Sequence, residues 1–142
     1  MPEINEVLQK AIEAEQDAYD QYMKAREMVD SQAAMDLLDT LAQEELQHKR
    51  MLEEYKMRII DRSPDTHHVD LQGLELTPTN ELNELKEILQ CAIAREDAER
   101  ACYLALQESM DDPTLKELFA SLANEEAEHK KRVKEAFANL FE

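Results

Sequence analysis

The sequence predicts an all-α protein, a four-helix bundle made of two copies of one helical hairpin. Three observations predict it. The 142 residues include one glycine and four prolines, too few for the tight turns of a β-rich fold. The abundant residues (Ala, Leu, Glu, Lys, Gln, Met) are strong helix formers. The chain also repeats itself: slid over itself, segment 1–61 falls on 82–142 without a gap, and 18 of the 61 positions are identical. The matches include the rare residues Tyr22 with Tyr103 and His48 with His129, so shared composition does not explain them.

Each half reads as two amphipathic helices. Ile4, Val7, Leu8, Ala11, Ile12, Ala18, Tyr22 and Ala25 keep the three-and-four spacing of a first helix. A turn follows near Asp30-Ser31, with Ser31 placed to cap the second helix. Ala34, Leu37, Leu38, Leu41, Leu52 and Tyr55 carry that helix to about Ile60. The third helix begins around Leu82, with Thr79 or Asn80 as its cap, and ends near Met110. Asp112-Pro113 supplies an N-cap and a first-turn proline for the fourth, which Leu115, Leu118, Phe119, Leu122, Val133 and Phe137 continue.

Between the halves, about 62–79, Pro64, Gly73 and Pro78 break the pattern. The segment is long for a plain loop, and adjacent antiparallel helices need only a short one. It is therefore expected to cross the bundle end to end, with Val69, Leu71, Leu74 and Leu76 along its outside. The whole is expected to be a single domain.

Charge excludes some functions. The 33 acidic and 16 basic residues give a net charge of −17, which repels nucleic acid. No run of about 18 apolar residues exists to span a membrane, and the first residues do not read as a signal peptide. Cys91 and Cys102 are too far apart on one helix to bridge, at roughly 16 Å, and no Cys-x-x-Cys pair exists. A cytoplasmic location is expected, and a homodimer as the commonest assembly.

The chemistry concentrates in repeated positions. Glu45-Leu46-Gln47-His48 and Glu126-Ala127-Glu128-His129 each put a carboxylate and an imidazole on one helix face. Counting from the turn at Ser31, Glu15, Glu45 and His48 lie at equal height, roughly 24 Å along their helices. Glu96, Glu126 and His129 repeat this about Asp112. All six sit on apolar stripes, where bare carboxylates are costly and a bound metal relieves the cost. Packing the halves by a pseudo-two-fold axis would gather four carboxylates and two imidazoles in the core.

This pattern resembles the ferritin-like diiron-carboxylate family, in which two helices give one Glu each and two give a Glu-x-x-His. The resemblance covers all four helices. It implies that Glu15, Glu45, His48, Glu96, Glu126 and His129 bind two iron ions, or manganese, with Glu45 and Glu126 bridging. Glu99, three residues after Glu96 where the first half has Ala18, is similar to the additional carboxylate of rubrerythrins. By that likeness it would exchange as a ligand with redox state. Tyr22 and Tyr103, each seven residues after a ligand glutamate, would lie beside the metals. There they would hydrogen-bond ligand carboxylates or stop stray radicals.

A rubrerythrin-like protein without the four-cysteine rubredoxin domain would reduce hydrogen peroxide with electrons from a separate donor, such as a rubredoxin. The competing expectations are a ferroxidase acting with dioxygen, or a helical binding module whose metal is structural. The methionines read as core or interface filling. His67 and His68 read as solvated linker histidines.

Overall fold

The computed structural model of the chain describes the backbone of residues 4–61 and 84–142, and the side chains of all of these except 58–61. The described residues form four helices: α1 (Ile4–Arg26), α2 (Gln32–Asp61), α3 (Leu85–Ser109) and α4 (Pro113–Phe141). The two hairpin turns are built as expected. Ser31 Oγ accepts from the Ala34 N–H at 3.1 Å, so a hydroxyl serves one of the unpaired amides at the start of α2. The Asp112 carboxylate accepts from the Thr114 N–H at 2.8 Å, with Pro113 in the first turn of α4.

The third helix starts later than the apolar spacing suggests. Glu84 occupies its N-cap in an extended conformation (φ −104°, ψ 134°), with no side-chain capping bond. The start expected around Leu82 is therefore corrected to Leu85, and the expected caps Thr79 and Asn80 lie outside the described residues. The physical reason is that apolar spacing marks a helix's inward face and not its first residue: Leu85 is only partly covered and Ile88 is the first fully buried residue of α3.

The hairpins α1·α2 and α3·α4 pack on each other mainly through α1 and α3, with α2 against α4. Helix directions follow from three contacts. The Tyr22 hydroxyl reaches Glu96, and the Tyr103 hydroxyl reaches Glu15. Each tyrosine is two turns beyond its own helix's glutamate, so this reciprocity requires α1 and α3 to be antiparallel. The Tyr55 hydroxyl donates to Met110 Sδ at 3.6 Å, which sets the tail of α2 beside the tail of α3. Thus α2 and α3 run parallel, and α2 ends at the opposite end of the bundle from the start of α3. The joining segment, with the expected crossover at about 62–79 and with His67 and His68, lies outside the described residues.

Apolar side chains form two clusters, one toward each end. The first gathers Ile4, Leu8, Leu52, Leu106, Met110 and Phe119. The second gathers Tyr22, Ala25, Leu38, Leu41, Leu89 and Val133. Between them lies a layer of buried charge. Met110 fills core; Met23, Met35 and Met51 pack at its margins; Met28 and Met57 are exposed. Cys91 and Cys102 are both free.

Phe119 links the first cluster to that polar layer. It is fully buried, edge-on to Tyr55 at 5.8 Å and stacked on Tyr103 at 6.4 Å. Phe119→Ala is expected to cost about 3–5 kcal/mol, because the ring's contacts are lost and a cavity remains. Urea unfolding of the metal-free protein checks this; a loss under ~1 kcal/mol would contradict the packing described.

Candidate metal centre

The polar layer holds every site residue expected from the sequence. Glu15, Glu45, His48, Glu96, Glu99, Glu126, His129, Tyr22 and Tyr103 are all at most 2% exposed. The glutamates and histidines come from all four helices near mid-length, and Tyr22 and Tyr103, about two turns further along α1 and α3, reach in with their hydroxyls. Each lies on the stripe that its helix turns inward, so the apolar residues that bury the stripe bury these groups as well.

Six of them form two overlapping groups. Glu15, Glu45, His48 and Glu126 each offer a ligand atom within 4.8 Å of the others. So do Glu45, Glu96, Glu126 and His129. Glu45 and Glu126 occur in both groups, so they sit between two positions, and the other two pairs flank them. Glu99 is buried beside the layer but belongs to neither group.

The halves interlock through crossed contacts. His48 Nδ1 lies 2.8 Å from a Glu126 oxygen and 3.6 Å from Glu15, while its Nε2 meets Glu125. His129 Nδ1 lies 2.6 Å from Glu45 and 3.8 Å from Glu96, and its Nε2 lies 2.5 Å from Glu44. Each imidazole therefore turns one nitrogen to the buried carboxylates and the other to a carboxylate nearer solvent. A carboxylate behind a histidine fixes the ring and its tautomer, and is the usual support for a metal-bound imidazole. Arg132 in turn holds Glu44, at 3.2 and 3.3 Å. The two rings stack at 5.5 Å.

Nothing in the sequence marks Glu44 and Glu125, the residues before Glu45 and Glu126, as histidine partners. Arg95 is a second omission. In the sequence it belongs to the charged run Arg95-Glu96-Asp97-Ala98-Glu99-Arg100, which looks solvated. In the fold it is buried, with its Nε 3.9 Å from Glu99 and its guanidinium 5.5 Å from the Tyr22 ring.

The electrostatics of the layer are those of crowded, buried carboxylates. Burial pushes the carboxyls of Glu15, Glu45, Glu99 and Glu126 well above the usual range, and neighbouring carboxylates push further. Burial, then Glu45, pushes Glu96 up to about 7. Burial also raises both tyrosines, reinforced by Glu96 at Tyr22 and by Glu15 at Tyr103. One oxygen each of Glu15, Glu45, Glu96 and Glu126 has no hydrogen-bond partner.

Five buried carboxylates and the Arg95 guanidinium leave four negative charges when all are ionised, a number that two divalent cations match. Mixed carboxylate and imidazole donors suit iron or manganese. The residues present therefore fit a two-metal group. Glu15, Glu45, His48 and Glu126 would hold one ion, and Glu45, Glu96, Glu126 and His129 the other.

Comparison with known proteins bears on the fold and on the second hairpin. Residues 87–142 match the rubrerythrin family model. A solved structure of a hypothetical protein from Pyrococcus furiosus has a TM-score of 0.76 and 25% identity, covering 94% of this chain and 87% of that one. No curated protein matches. Among the described residues, no helix is long and apolar enough to cross a membrane. The matched segment is most of the second hairpin, which contains Glu96, Glu99, Glu126 and His129, within a four-helix fold.

Proposed function

We propose that this protein is a diiron-carboxylate oxidoreductase that reduces hydrogen peroxide with electrons from a separate donor such as a rubredoxin. The observation that carries the reading is the pair of four-ligand groups sharing Glu45 and Glu126, with the further buried carboxylate of Glu99 beside them. Two iron(II) ions would supply the two electrons that, with two protons, convert one peroxide to two waters.

The protein's own part is positioning. Glu45 and Glu126, common to both four-ligand groups, would contribute to holding each ion. His48 and His129 turn Nδ1 to the buried carboxylates and would offer it to the ions, with rings set by Glu125 and Glu44. The Tyr22 hydroxyl donates to Glu96 Oε1 at 2.5 Å and the Tyr103 hydroxyl donates to Glu15, which ties one oxygen of each carboxylate and leaves the other for a metal. The apolar clusters on both sides keep bulk water from the layer. The acidic surface repels nucleic acid and is no obstacle to cations.

Anaerobic iron(II)-loaded protein is expected to oxidise faster with hydrogen peroxide than with dioxygen, and to turn over when a reduced donor is supplied. Stopped-flow absorbance measures both rates. Iron that stays ferrous in peroxide would sink the proposal. Rapid reaction with dioxygen, continuing well beyond the bound iron, would put a ferroxidase in its place.

A further inference from the structure

Helices α1 and α3 are related by the repeat, yet differ on the inward face at two successive turns. Ala14 and Ala18 of α1 correspond to Arg95 and Glu99 of α3. All four residues are buried. The second hairpin therefore adds one buried cation and one buried anion to buried glutamates and histidines that otherwise match in pairs. The two lie on one helix four residues apart, with Arg95 Nε 3.9 Å from Glu99 Oε1.

Arginine is an expensive way to fill this place, since Ala14 packs the equivalent position in α1 without a charge. Its surroundings indicate what it does. The guanidinium lies over the ring of Tyr22, whose hydroxyl is tied to Glu96. That contact fixes Arg95 next to Glu99. Glu99 is fully buried, close enough to the centre to interact with Glu45 and Glu96, yet in neither four-ligand group.

We infer that Arg95 is a positioning residue for Glu99: the ion pair keeps this fifth carboxylate beside the two metal positions but off them, and cancels the charge that it adds. The inference rests on the two-metal reading above. Without the guanidinium, the nearest cations to Glu99 are the bound ions, and a buried carboxylate moves to its nearest cation. A lysine at position 95 keeps the charge and therefore the pairing.

Cobalt(II) is the probe, because the intensity of its visible bands falls as ligands are added. The cobalt-loaded full-length protein is compared with Arg95→Met, Arg95→Lys, Glu99→Gln and the double variant Arg95→Met/Glu99→Gln. The Arg95→Met spectrum is expected to weaken severalfold as Glu99 joins an ion. The double variant is expected to return to the wild-type spectrum, and Glu99→Gln and Arg95→Lys to keep it. Arg95→Gln serves the same test if the methionine variant does not fold. An unchanged Arg95→Met spectrum overturns the inference. So does a changed one that Glu99→Gln fails to restore, since Arg95 would then act through Tyr22 or the fold. Wild-type protein that takes up no cobalt overturns the two-metal reading itself, which distinguishes the two failures.

Discussion

Replacing Glu45 and Glu126 together by glutamine is expected to reduce the metal content from about two ions per chain to near none. Each of these carboxylates belongs to both four-ligand groups, so the double change removes two of the four donors at each position. It also removes two of the five buried negative charges that attract the ions. Glutamine keeps the shape, and its carbonyl is a poorer donor with no charge.

The same variant should gain stability when metal-free, because burial and mutual repulsion of the carboxylates disfavour the empty folded state. Lost metal with raised metal-free stability is a combination that a general packing defect would not produce. Elemental analysis after anaerobic loading, with calorimetry of the metal-free proteins, reads both quantities. Wild-type metal content in the double variant would remove the basis for a shared two-metal site.

Much of this was legible because it is local or repeated. Ser31, Asp112 and Pro113 announce helix starts through the chemistry of their own side chains, and the structure places the starts there. The six repeated glutamates and histidines could be set at one level from residue counts alone, since antiparallel helices share a rise per residue.

What escaped the sequence depends on how the halves pack. Glu44 sits next to Glu45, and on an isolated helix its side chain points some 100° away, toward solvent. It serves His129 only because α4 approaches from that side. Tyr22 was expected beside the metals. That it ties the glutamate of the other half, and not its own, follows from the antiparallel register of α1 and α3. Arg95 was hidden by its charged neighbours, and only the comparison with Ala14 marks it as unusual. The start of α3 was placed too early because apolar spacing marks a helix's inward face and not its first residue.

The second large effect is the pH dependence of the metal-free protein. The five buried carboxyls have raised pKa values in the folded state, Glu96 at about 7 against an ordinary value of 4.5. Below the ordinary value, folded and unfolded chains are both protonated and the site costs nothing. Between that value and the raised ones, the folded state binds more protons than the unfolded state, so stability falls as pH rises.

The melting temperature of metal-free protein is therefore expected to drop from pH 5 to pH 8, by on the order of 10 °C. Repulsion across an acidic surface acts in the same direction. The Glu45→Gln/Glu126→Gln variant separates the two: it keeps nearly all of the surface charge, so a much shallower drop in the variant assigns the effect to the buried layer. With metal bound the sign reverses. The ions displace protons from these carboxylates, so metal stabilises more as pH rises through the same window, and acid releases it. Calorimetry at both pH values, with and without metal, gives four melting temperatures. A metal-free protein that melts no lower at pH 8 than at pH 5 would show that these carboxylates are not buried together as the fold places them.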